Sequence, residues 1–131
     1  MSSGPYTQAQ VLLIKAAEDK KALYAPENSD AIVGFHVQQA VEKLMKALLS
    51  ALNIAFEHTH NIERLKVAIE AAGEKLPTVP VPWSLLTDYA VVYRYDLLFQ
   101  IAAADRLDLI ESVRTIREHV MNRLTAIGNT P

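Results

Sequence analysis

The chain has 131 residues, of which 50% are apolar and 21% are charged, and its formal net charge is −2. This length suits one domain with a substantial core. The composition excludes a disordered chain, because disordered chains combine low hydrophobicity with high charge. The slightly acidic balance argues against a surface that binds nucleic acid indiscriminately, so any nucleotide contact is expected to be local.

The chain contains no cysteine, which excludes disulfides and thiolate metal sites and fits a reducing compartment. The segment Met1 to Tyr6 lacks the basic start and apolar run of a secretion signal. No stretch approaches the about 18 uncharged apolar residues that a membrane span needs. We therefore expect a single cytoplasmic domain, residues 1–131, that does not associate with a membrane.

Apolar residues recur at helical spacing almost throughout the chain, and no alternating run predicts a pair of strands. The fold class is therefore predicted to be all-α, as an up-and-down antiparallel four-helix bundle with an additional short helix. The predicted helices run approximately over Gln8–Tyr24, Asp30–Asn53, His60–Ala72, Ser84–Leu97 and Asp105–Ile127. The longest predicted loop, from Gly73 to Trp83, contains three prolines, which lack an amide hydrogen and exclude regular helix.

Each predicted helix has an apolar face. In the first helix the buried candidates are Val11, Leu12, Ile14 and Leu23. The second helix has its apolar stripe at Val37, Val41, Leu44, Leu48 and Leu52, flanked by Met45 and Leu49, and an opposite stripe at His36, Gln39, Lys43, Lys46 and Ser50. The third is expected to bury Ile62, Leu65 and Ile69, and the last to bury Leu109, Val113, Ile116, Val120, Leu124 and Ile127.

Three polar residues are expected to begin helices. Ser29 or Asp30 can cap the second helix, since the free amide groups there need an oxygen acceptor. Thr59 is the expected cap of the third helix, and Asp105 that of the last. Gly73 is expected to end the third helix.

The second helix carries Gln38-Gln39-Ala40, the pair Glu42-Lys43, and Lys46. This arrangement resembles the second-helix signature of the HEPN family, whose pattern is Gln-Gln-Ala, a Glu-Lys pair and a further Lys. The alternative is a solvated face made by Gln38, Glu42 and Lys46, with a Glu42–Lys46 pair at four-residue spacing that contributes a few tenths of a kcal/mol.

The segment Thr59-His60-Asn61-Ile62 resembles a short His-containing motif of the same family, although Asn61 and Ile62 replace the commoner Asp and Leu. A histidine at a helix start can donate to a phosphate, aided by the positive end of the helix dipole. The alternative is that His60 only caps or packs. His58 and His60 have no evident third ligand nearby, so no metal site is expected.

Tyr93-Arg94-Tyr95 resembles an aromatic-Arg motif of the family's fourth helix, although Asp96 stands where a proline is common. On a continuous helix the neighbours of Arg94 are apolar, so its guanidinium needs a partner. Two alternatives stay open: a carboxylate such as Glu42 or Asp88 pairs with Arg94, or Arg94 clamps a phosphate while Tyr95 stacks on a base.

HEPN ribonucleases carry an Arg followed after four to six residues by His, and Arg114 and His119 satisfy that spacing. Five steps of about 100° place these two residues roughly 140° apart on a straight helix, so one chain does not readily join them in one small site. A dimer could bring such groups together.

The resemblance implies a HEPN bundle that is often dimeric and is found beside minimal nucleotidyltransferases in toxin–antitoxin pairs. The leading hypothesis is nucleotide or RNA-phosphate binding with such a partner, without a cofactor. Its expected ligand-binding residues are Gln39, Lys43, Lys46, His60, Arg94 and Tyr95. One alternative is a metal-independent ribonuclease, with Arg114 stabilising phosphate charge and His119 as acid or base. Another is a non-catalytic dimerisation module. Whether the protein is an enzyme stays open.

Overall fold

The computed structural model describes residues 5–56, 58–86 and 106–128. Its elements are α1 (Pro5–Ala22), α2 (Asp30–Ala51), α3 (Ile62–Ala71), α4, whose described part is residues 83–86, and α5 (Arg106–Gly128). These ranges contain helices and loops and no strand. The predicted all-α class is confirmed. The predicted fourth helix falls mostly on residues outside the described ranges.

Helix α2 is the central element, because it packs against α1, α3 and α5. Its predicted apolar stripe is confirmed. Val37, Val41, Leu44, Met45, Leu48 and Leu49 are fully buried, and Leu52 is half-buried. The predicted range of α2 is the longest of the five, whereas in the structure α5 has 23 residues and α2 has 22. The length of α2 lets one helix support several neighbours.

The ends of the helices follow local hydrogen bonding. Ser29 caps α2 as predicted, since its side chain accepts from the N–H of Ile32 at 3.2 Å. The prediction for α3 is wrong. Its cap is Asn61, whose side chain accepts from the N–H of Arg64, while the Thr59 hydroxyl accepts from the N–H of Asn61. Gly73, at φ +89°, follows the end of α3 in the left-handed conformation that favours glycine.

Helix α1 buries only part of the face that the sequence predicts. Of the four residues expected in the core, Leu23 is buried, whereas Val11 is 47% exposed and Ile14 is 63% exposed. The buried apolar residues Ala9, Ala16 and Leu23 recur every seven positions. Small alanine side chains allow two helix backbones to approach closely, which favours this face of α1 as the one that packs on α2.

The loop between α3 and α4 is attached to α5 at two points. The buried hydroxyl of Ser112 accepts from the N–H of Val81 at 3.2 Å and donates to the carbonyl of Asp108 at 2.8 Å. The guanidinium of Arg123 donates to both carboxylate oxygens of Glu74, at 2.8 and 2.9 Å. These contacts fix the proline-rich segment against a helix that is distant in sequence.

The inward face of α5 is confirmed over most of its length. Leu109, Val113, Ile116, Val120 and Leu124 are buried, and Ile127 is half-buried near the end of the helix. In α3 the three predicted residues Ile62, Leu65 and Ile69 are also buried. The core therefore lies along α2, with the polar side chains of α2 at its border.

Candidate functional site

Two polar side chains of α2 are buried one helical turn apart. Gln38 is fully buried and Glu42 is 4% exposed. Burying a carboxylate is costly unless hydrogen-bond donors surround it, so the buried Glu42 carboxylate requires donors close to it. The alternative that Gln38, Glu42 and Lys46 form a solvated face is therefore wrong, although the Glu42–Lys46 pair is present at 2.9 Å.

Three donors converge on the Glu42 carboxylate. The amide of Gln38 donates to Oε1 at 3.0 Å, Nζ of Lys46 donates to Oε2, and Nδ1 of His60 lies 2.8 Å from Oε1. An ionised carboxylate only accepts hydrogen bonds, so the imidazole must carry a hydrogen on Nδ1. Nε2 of His60 is then the ring nitrogen available for another molecule.

His60 is held at two points while its ring remains open to solvent. The amide of Gln38 also donates to the backbone carbonyl of His60 at 2.9 Å, and Glu42 holds the ring. The imidazole is 66% exposed. His60 lies two residues before α3, and Asn61 is the cap, so the predicted position of His60 at the helix start is corrected. Buried side chains of α2, and not helix-end amides, position this histidine.

A second buried carboxylate, Asp19 of α1, has a similar set of donors. Nδ1 of His36 lies 2.8 Å from Oδ1 of Asp19, and Nζ of Lys43 donates to Oδ2. Sequence reasoning missed Asp19. The available signal was its spacing, because Asp19 lies three residues after Ala16 and four before Leu23, both on the buried face of α1.

Together the two carboxylates neutralise the cations that were expected to bind a ligand. Lys43 pairs with Asp19, and Lys46 pairs with Glu42. The Lys46 ammonium also lies 5.9 Å from the centroid of the Phe56 ring. Gln39 donates to Oε1 of Gln38 at 2.6 Å, which links the predicted residue Gln39 to the Glu42 cluster. With neutral imidazoles, these two clusters of ionisable groups carry no net charge.

The remaining predicted ligand-binding residues, Arg94 and Tyr95, lie outside the described ranges.

The predicted catalytic residues Arg114 and His119 are described, and no hydrogen bond joins them. Arg114 is on the open surface of α5, where it donates to Glu111 through Nε at 2.9 Å and Nη2 at 2.5 Å, and to Glu118 through Nη1 at 2.9 Å. Nε2 of His119 is buried and has no hydrogen-bond partner within the described part of the chain.

The Arg114 ion pairs change the titration of their members. The hydrogen bond and charge of Glu111, together with the charge of Glu118, raise the pKa of Arg114 above its ordinary value. The hydrogen bond from Arg114 lowers the pKa of Glu111, although partial desolvation opposes this shift. Arg114 therefore stays charged, and intrachain carboxylates already occupy its donors.

The described side chains include no cluster of three or more His, Asp or Glu residues placed to bind a metal. Within the same ranges, no helix combines the length and apolar character needed to cross a lipid bilayer. The Glu42 cluster presents an oriented imidazole, an ammonium group and an amide donor.

In a comparison with known protein families, residues 9–124 match the HEPN domain. The match covers most of the chain, including both carboxylate clusters. Comparisons with curated proteins and with solved structures find no match.

Proposed function

The chain belongs to the HEPN family, whose members are nucleotide-binding or ribonuclease-type domains, and we propose from this that it binds nucleotide or RNA phosphate at His60. The observation that carries the proposal is the 2.8 Å contact between Nδ1 of His60 and the buried Glu42 carboxylate. It leaves Nε2 of a largely exposed ring to meet a ligand.

The arrangement favours a role in binding because the exposed ring adds little to the core. Two buried α2 side chains, Gln38 and Glu42, are used to hold one surface histidine. Hydrogen bonds from buried residues of this kind fix the position of a binding group before its ligand arrives. In the neutral form Nε2 accepts from a ribose hydroxyl, and in the charged form Nε2–H donates to a phosphate oxygen.

Lys43, Lys46 and Gln39 extend this proposed site along α2. Each lysine is already paired with a carboxylate, so we assign them to shaping and orienting the site, with Lys46 holding the Glu42 carboxylate in position. We also propose that Arg94 binds the phosphate and that the Tyr95 ring stacks on a base.

The proposal includes a partner. We infer that the domain acts in the cytoplasm with a minimal nucleotidyltransferase, as one half of a toxin–antitoxin pair, because this is the setting that the family resemblance implies.

We also propose that the protein forms a homodimer. The exposed apolar side chains Val11 and Ile14 on α1 support it, since symmetric association commonly buries such a patch against its own copy. Light scattering that shows a monomer at micromolar concentration would contradict the dimer.

A nucleotide titration tests the binding proposal. We expect AMP or ATP to shift the NMR signals of the His60 ring to saturation, and His60→Ala to weaken binding about tenfold, as loss of a charge-assisted contact does. His58→Ala is the matched control, because His58 is an exposed histidine two residues earlier in the same loop. Equal affinity of both variants and the parent protein would refute the role of His60.

A further inference from the structure

A small groove lies on the opposite side of α2 from the Glu42 cluster. It has a volume of about 60 Å³, and its walls come from α1 and α5. Leu13, Leu44, Val113 and Met121 supply apolar surface, and the side chains of Lys20 and Arg117 line it from the two flanking helices. Leu44 follows Glu42 by two residues, which is about 200° around the helix axis, so this groove is separate from the His60 site.

The two cations at the groove differ from the other half-buried cations of the described ranges. The side chains of Lys20 and Arg117 are half-buried, and neither forms an ion pair or a hydrogen bond there. The other half-buried lysines and arginines have a polar partner, as Lys46 has in Glu42, and the described cations without one, such as Lys21, are exposed. A pair of like charges that borders one partly apolar groove lacks the counter-charge that the protein supplies at its other clusters.

Size and chemistry together indicate the kind of anion. A volume of about 60 Å³ holds a few water molecules, at roughly 10–15 Å³ each, so the groove admits one small oxyanion and no nucleoside. The planar fork of an arginine matches two oxygens of one phosphate, and a lysine adds a point charge from the other side. Apolar walls strengthen such contacts by excluding water.

We propose that Lys20 and Arg117 bind one phosphate group in this groove, either as free inorganic phosphate or as the terminal phosphate of a nucleotide whose remainder lies outside. This site uses none of the residues of the His60 site and does not depend on the function proposed for it.

The test is a titration of the full chain with inorganic phosphate, followed by ¹H–¹⁵N NMR of the Arg117 side chain and the nearby amides. A chloride titration at matched ionic strength corrects for screening. We expect saturable shifts with phosphate alone, and affinity about tenfold lower in Lys20→Gln and in Arg117→Gln. Lys21→Gln is the matched control, because it removes the same charge from the adjacent exposed position of α1.

The outcomes are separable. Absence of saturable shifts, or equal weakening by Lys20→Gln and Lys21→Gln, overturns the proposal. If Arg117→Gln does not fold, Arg117→Lys keeps the charge and removes the fork. Unchanged affinity in both Arg117→Lys and Lys20→Gln also overturns it.

Two further experiments identify the source of the phosphate and test whether the two sites are independent. Competition between AMP and inorganic phosphate at Arg117 identifies a nucleotide phosphate as a ligand, whereas phosphate binding without competition identifies the free ion. His60→Ala should leave phosphate binding at Arg117 unchanged. If His60 proves not to bind nucleotide, the proposal for the groove is therefore unaffected. Loss of the phosphate-induced Arg117 shifts in His60→Ala would overturn the independence of the groove.

Discussion

The Nδ1 atom of His60 lies 2.8 Å from Oε1 of Glu42, so a buried carboxylate holds a largely exposed histidine. The two residues are eighteen positions apart and lie on different elements. Their contact links the central helix to the loop that precedes α3, and it makes the stability of α2 and the geometry of the proposed site depend on one side chain.

Replacing Glu42 by alanine is expected to lower the free energy of unfolding by about 3–5 kcal/mol, because it leaves the nearly buried Lys46 ammonium without its partner. Urea unfolding measures the change. Glu70→Ala is the control, since Glu70 forms an exposed pair with Lys66 and its loss should cost less than about 1 kcal/mol. Similar losses in the two variants would contradict the buried role of Glu42.

Ser112→Ala is expected to destabilise the fold by about 1–3 kcal/mol, because it leaves the buried N–H of Val81 without an acceptor. Thermal or urea unfolding gives the magnitude. Ser84→Ala removes the same hydroxyl at an exposed position and should change stability by no more than about 0.5 kcal/mol. An unchanged Ser112→Ala would show that another group satisfies this amide.

Arg114→Ala is expected to return the pKa of Glu111 upward to its ordinary value, because the hydrogen bond from Arg114 is the main cause of its lowering. A carboxylate with a lowered folded-state pKa stabilises the fold above its ordinary pKa, and this contribution is lost as the pH falls through the lowered value. Side-chain ¹³C NMR titration of Glu111 in both proteins measures the shift. A Glu111 titration that is the same in the variant would refute the pairing.

His119→Leu is expected to stabilise the fold by about 1 kcal/mol, because the buried Nε2 has no partner within the described part of the chain and an unsatisfied buried polar atom is costly. Urea unfolding measures this, with His58→Leu as the exposed control. The same variant tests the ribonuclease alternative. Cleavage of RNA by the parent protein that disappears in folded His119→Leu would favour that alternative over the binding role.

Arg94→Ala separates the two alternatives for Arg94, which the sequence left open. If a buried carboxylate pairs with Arg94, we expect a loss of about 3–5 kcal/mol in unfolding free energy. If Arg94 clamps a phosphate, stability should stay nearly constant while nucleotide binding weakens. Thermal melts with and without AMP distinguish these results. A variant that melts and responds to nucleotide like the parent protein would remove Arg94 from both roles.

Local sequence patterns determined the parts of this protein in which one helix face is clearly more apolar than the others. The stripe from Val37 to Leu48 on α2 and the seam from Leu109 to Leu124 on α5 are buried as predicted. Ser29 and Gly73 mark helix ends because side-chain capping and left-handed backbone are local effects.

The tertiary structure decided what periodicity leaves ambiguous. Helix α1 has the consecutive apolar residues Val11, Leu12, Leu13 and Ile14, which point in all directions, so the packing of Ala9 and Ala16 on α2 selects the buried face. The long-range partners of Glu42 and Asp19 are likewise set by folding, because His60 and Lys43 lie eighteen and twenty-four positions away from them. Burial then makes each carboxylate require its donors, and no local spacing rule contains that requirement.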